Sequence, residues 1–135
     1  SDHVLGGRSH IEAEDLARET VITYPVDRNR LDVFTKFLDL QNVEPASVRT
    51  AELTPMMVQL IASGRGVASL PTWALTEYLE RQTIVAVKFG PNGLWATLFA
   101  AIREDQFESP FMEDFIRTSV ETCFNNLTGI RSVND

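Results

Sequence analysis

The residues best suited to chemistry sit at two strand-to-helix junctions, TYPVDR (23–28) and ELTP (52–55). A helix start leaves backbone N–H groups without intrahelical partners, and two such starts at one sheet edge suit a carboxylate or another small anion. The dipole contributes roughly 0.3–1 kcal/mol per exposed helix end, so hydrogen bonds must supply most of the affinity. Thr23, Tyr24 and Thr54 add hydroxyls, and Glu52 can pair with an amine. Met57 offers a soft, adaptable wall for a thioether or thiol. Together these groups suit a small zwitterion. The plainer reading is that Asp27 and Thr54 only cap their helices and that Met57 is core.

Other reactive side chains point away from catalysis. Cys123 falls on the apolar face of the last helix and reads as a small core residue. His3 and His10 lie in a polar stretch and lack the spacing of a helical metal pair. Gly64-Arg65-Gly66 precedes a strand, whereas a dinucleotide fingerprint follows one, so it reads as a turn. Glu12, Glu14 and Asp15 favour a helix start. Trp73 and Trp95 read as packing residues. No catalytic residue, metal ligand or cofactor motif is predicted.

These residues need elements to hold them. TVITYP (20–25) is a β-branched run closed by proline, a buried strand. Asp27 can cap a helix over 28–40, with Leu31, Phe34 and Leu38 on one stripe and Val33, Phe37 and Leu40 on another. That apolar arc is wider than one core contact needs, which marks Leu31, Phe34, Phe37 and Leu38 as an expected protein interface. ASVRTAEL (46–53) reads as a short strand. A helix follows, with Thr54 as cap, Pro55 at its first position and Gly64 as its stop. GVASLP (66–71) is a strand, TWALTEYLERQ a helix, and TIVAVKF and ATLFAAIRE are two strands around the turn GPNG (90–93). Ser109-Pro110 opens a helix with Phe111, Met112, Phe115, Ile116, Val120, Cys123 and Phe124 on a wide apolar face, and the tail from Thr128 is expected to fray. Residues 1–10 read as turn-like. Alternating strands and helices predict an α/β architecture with a mainly parallel sheet, whose ligands bind beyond the carboxyl ends of the strands.

With 135 residues, a 44% hydrophobic fraction and one cysteine, the chain has the size and composition of one domain without an internal disulfide. A net charge of −7 makes it a poor grip for phosphate backbones, so DNA binding by this stretch is not expected. No apolar run is long enough to span a bilayer and no signal peptide is visible, which predicts a cytoplasmic location with no membrane partner.

SDHVLGGRSHIEAEDLARETVITYP resembles LysR-type transcriptional regulators, in which an Asp-His-Pro-Leu-like opening precedes a Glu-Asp-Leu helix and an apolar strand. MMVQLIASGRGVASLP is similar to that family's V-x-x-G-x-G-(I/V)-x-x-L-P segment. ETVITYPVDRNRLDVFTKFL and GLWATLFAAIRE look most like its regulators of methionine biosynthesis. Val4 departs from the usual proline, which loosens a turn without touching the site.

The resemblance implies an effector-binding domain of two α/β subdomains with the periplasmic-binding-protein-like (type 2) fold. Residues 1–100 would form the second subdomain. Residues 101–128 would be the end of a returning strand and a helix that packs on the first, and 129–135 a tail. It places the effector against Thr23, Tyr24, Pro25 and Val26 and against Glu52, Leu53 and Thr54. It implies homocysteine as effector, assembly as dimers or tetramers, and DNA binding through an N-terminal helix-turn-helix. The rival readings are a solute-binding module of a transport system and a small α/β enzyme.

Overall fold

Parallel pairing organises residues 10–89. Strand β1 (His10–Ile11) lies beside β5 (Lys88–Phe89), and β2 (Thr20–Thr23) lies between β3 (Ser47–Thr50) and β4 (Val67–Ala68). The computed structural model describes residues 3–106 and 109–133. By compactness the chain divides into Ser1–Trp95 and Ala96–Asp135.

Every residue of β2 is β-branched, which stiffens the side chains and favours pleated backbone. Its neighbours follow in register: Thr20 faces Ser47, Thr23 faces Thr50, and Val21 faces Val67. Successive side chains of β2 then feed opposite layers. Val21 joins a core with Leu16, Val33, Phe34, Phe37 and Leu38, while Ile22 joins Ala51 and Met57. Helix α1 (Thr54–Ala62) covers the second face. A third cluster, Val58, Leu75 and Ile84, links α1 to helix α2 (Thr76–Glu80). The outcome is the expected α/β layering, with parallel strands flanked by helical segments.

The structure departs from the expected elements in several places. His10 and Ile11 pair with β5, where the sequence reads turn and helix. The stretch after them is a 3-10 helix, Ala13–Arg18, held by a reciprocal cap between Glu12 and Asp15. The expected strand 83–89 contracts to Lys88–Phe89, and the described residues of 96–104 hold no strand. The end of the predicted tail, 134–135, lies outside the described residues.

The 28–40 segment is the largest correction. It forms a 3-10 turn (Arg28–Arg30), a break at Leu31, a π-type turn (Phe34–Leu38) and a closing 3-10 turn (Asp39–Gln41) ended by left-handed Asn42. Its broad apolar arc is consumed inside the chain except at Leu40, which is exposed. Phe34 is 2% exposed, Phe37 8% and Leu38 0%, and Leu31 packs half-buried against them. Of the interface expected at Leu31, Phe34, Phe37 and Leu38, the last three are therefore core within this chain and Leu31 borders them. Phe37 also meets Phe89 edge-on, with ring centroids 5.0 Å apart, which fastens the segment to β5.

In the second unit, Pro110 starts helix α3 (Pro110–Asn126) at a position where its missing N–H has no intrahelical role. Phe111, Phe115, Val120 and Phe124 are exposed along it, whereas Met112, Ile116 and Cys123 are half-buried.

Candidate functional site

The two junctions open at one rim. Because β2 and β3 are parallel neighbours, Thr23 and Thr50 end side by side, and the amide of Ala51 donates to the carbonyl of Thr23 at 2.9 Å. Across that rim the hydroxyls of Tyr24 and Thr54 share a hydrogen bond of 2.6 Å. The ring of Tyr24 packs, half-buried, on the Ile22–Met57 cluster. Each junction is thus fixed to the other through both backbone and side chain.

Thr54 does not cap α1. It is the first helical residue, Leu53 occupies the cap position in extended geometry, and no side chain caps the start. The threonine hydroxyl that could have turned back on the helix is committed to Tyr24 instead. Pro55 carries no N–H, and Met57 donates to the carbonyl of Leu53 at 3.0 Å. The amides of Thr54 and Met56 belong to the first turn and have no intrahelical acceptor.

The second expected amide-rich end does not match the first. Asp27 precedes only the three-residue 3-10 turn Arg28–Arg30 and makes no side-chain cap. The loop before it is tight, with the amide of Val26 donating to the carbonyl of Tyr24 at 2.9 Å. The rim therefore offers one helix start and one closed turn.

The expected site residues divide by exposure. Pro25, Val26, Glu52 and Leu53 are exposed on the rim, and Tyr24 and Thr54 are half-buried beside them. Thr23 is 5% exposed, a polar residue sunk at the end of β2. Met57 is 1% exposed and packs with Ile22 and Ala51, so it is core and not a wall of the rim. Met56, which by sequence groups with Met57, Leu60 and Ile61 in helical spacing, is instead 56% exposed on the first turn. The signal lies in the spacing. Met57, Leu60 and Ile61 form the i, i+3, i+4 stripe that faces the sheet, and Met56 falls off it.

This arrangement supplies amide and hydroxyl donors, an exposed carboxylate at Glu52 and apolar side chains at Val26, Leu53 and Met56. Other reactive groups are elsewhere: His3 pairs with Glu19 at 3.3 Å, His10 with Glu12 at 3.2 Å, and Cys123 lies half-buried on α3. Among the described residues no cluster of three His, Cys, Asp or Glu is arranged to hold a metal ion. No helix among them is long and apolar enough to cross a membrane.

The turn Gly64-Arg65-Gly66 delivers the chain from α1 into β4. Gly64 takes φ +70 as the helix ends, and its amide bonds to the carbonyl of Ile61. Gly66, at φ +149, is buried where a Cβ would overlap the backbone oxygen of Thr20.

Residues 1–123 match the LysR substrate binding domain family. The chain is 41% identical over 133 residues to the HTH-type transcriptional regulator MetR of Haemophilus influenzae, covering 98% of this chain and 43% of that protein. It is 39% identical over 131 residues to MetR of Escherichia coli K12, covering 97% of this chain and 41% of that protein. Among solved structures it is similar to the regulatory domain of MetR, a LysR family regulator from N. meningitidis. That match has a TM-score of 0.84 and 38% identity, and covers 96% of this chain and 60% of the other. The chain spans less than half the length of these curated relatives. A match that runs from the opening residues through β1–β5 and into α3, with the same fold in a solved relative, leaves one assignment: the chain belongs to the LysR substrate-binding domain family.

Proposed function

We propose that this chain is the effector-binding part of a LysR-type transcriptional regulator of methionine biosynthesis, and that its effector is homocysteine. The observation that carries this is the rim at which Tyr24 and Thr54 join two junctions beside an uncapped helix start. In this reading the amides at the start of α1 take the effector carboxylate, Glu52 takes its amine, and Val26, Leu53 and Met56 meet its short side chain. Homology to regulators named MetR supports the sulfur amino acid.

The rim is one wall of a cleft. A first subdomain outside this chain forms the other, and the open Phe111, Phe115 and Phe124 row of α3 packs on it. DNA is read by a helix-turn-helix domain outside this chain, consistent with the acidic balance of −7. The protein works in the cytoplasm as a dimer or tetramer. Effector shifts the population between arrangements through unequal affinity for them. No catalysis is involved.

Calorimetry of the full-length protein against homocysteine, cysteine, methionine and serine tests the reading. Homocysteine should bind tightest, and Glu52→Ala with Thr54→Ala should weaken it while the far-ultraviolet spectrum is preserved. Equal binding of all four, or an unaltered double variant, would sink it. Residues 1–135 alone should leave promoter DNA unshifted in a gel.

A further inference from the structure

Arg28 is the first residue after the rim loop, and its guanidinium meets three groups from later in the crossover between β2 and β3. Nη2 lies 2.6 Å from Oδ1 of Asp39, and Nη2 and Nη1 lie 2.8 and 3.0 Å from Oε1 and Oε2 of Glu44. Its Cζ sits 4.1 Å from the centroid of the Phe34 ring. Phe34 is 2% exposed, so the ring beneath the guanidinium is enclosed by the core. The bond from Asp39, foremost among these contacts, raises the guanidinium pKa further above its ordinary value.

We propose that Arg28 is a positioning residue for the rim: it fixes the outgoing end of the loop by fastening it to Asp39, Glu44 and Phe34. The incoming end is already fixed, because Tyr24 is anchored in the Ile22–Met57 cluster and bonded to Thr54. Only Pro25, Val26 and Asp27 lie between the two anchors. Proline holds its own φ, the amide of Val26 donates to Tyr24, and the carbonyl of Asp27 accepts from Arg30 at 2.9 Å. A span this short, anchored at both ends, has few alternatives. The loop is held in place before any ligand arrives, and binding does not have to order it.

Ordinary surface pairing does not account for the arrangement. The side chains of Arg28 and Asp39 are each 41% exposed, and isolated pairs at such exposure add little to global stability. The contribution is local. It also depends on arginine in particular, since a forked, stacked contact to two carboxylates and a ring is beyond a lysine ammonium. The consequence for affinity rests on the effector reading above, whereas the fastening itself does not.

Hydrogen exchange of the full-length protein, read by mass spectrometry, tests both. In Arg28→Met, and separately in Asp39→Asn with Glu44→Gln, exchange across residues 24–31 should rise about tenfold while residues 20–23 and 54–62 hold their rates. Combining all three substitutions should add nothing, and Arg28→Lys should behave like Arg28→Met. Homocysteine affinity should fall about three- to tenfold in step with the loop. Unchanged exchange at 24–31, or a uniform rise throughout, would overturn the proposal. Absence of homocysteine binding by the unaltered protein would overturn the effector reading, with the exchange result still deciding the role of Arg28.

Discussion

The hydroxyls of Tyr24 and Thr54 lie 2.6 Å apart, joining a residue just past one strand to the first residue of the helix that follows the next. This bond replaces the helix cap that the sequence suggests for Thr54, and it gives the threonine a partner whose removal can be read separately.

Tyr24→Phe and Thr54→Val should each destabilise the chain by about 0.5–1.5 kcal/mol in urea unfolding. The double variant should cost clearly less than the two together, because the second substitution has no bond left to break. Strict additivity would mean the hydroxyls act apart, and Thr54 would return to the role of a cap.

Gly66→Ala should destabilise by at least about 2 kcal/mol, since a methyl group there overlaps the Thr20 carbonyl at a φ that L residues rarely adopt. Gly64→Ala, in open space at φ +70, should cost less. Chemical denaturation of the pair gives the order directly.

Leu38→Ala should cost about 2–5 kcal/mol, the range for a filled core position losing its side chain. Leu40→Ala should be nearly silent, because Leu40 is 73% exposed. The loss at Leu38 should not vary with protein concentration. A difference between variant and parent that changes with protein concentration would put this leucine at a contact between copies after all.

Asp15 accepts from the backbone amide of Glu12 at 2.9 Å and from Arg8 at 2.6 Å, and the Glu12 bond, foremost, holds its pKa below the ordinary 3.8. A carboxylate depressed in the folded state stabilises fully above its unfolded value, and that gain is lost as pH falls through the folded one. Asp15→Asn should therefore lower the melting temperature at neutral pH, and the gap to the parent should close below pH 3.8. A gap that stays constant into acid would show that shape, not charge, is what the position needs.

Much of the fold could be read from the residues. The β-branched run 20–23 announces β2, proline and glycine bracket α1, and parallel neighbours follow from the alternation of strand and helix. What escapes is decided by contacts distant in sequence. A two-residue strand such as His10–Ile11 has no periodicity to detect, and only β5 makes it one. Thr54 looks like a cap in isolation, and Tyr24, thirty positions earlier, redirects it. The wide arc of 31–38 resembles a surface for a partner until the sheet and β5 are seen to fill it. Met56 and Met57 differ by one step of helical rotation, which buries one and frees the other.

The bond from Ala51 to Thr23 bears on how a captured molecule could be felt elsewhere. With the backbones of β2 and β3 locked at their last turns, neither shoulder of the rim can slide past its neighbour. The rim is joined twice, through this backbone bond and through the Tyr24–Thr54 hydroxyls. In the proposed reading, a signal leaves the rim as a movement of both junctions together and not of one past the other.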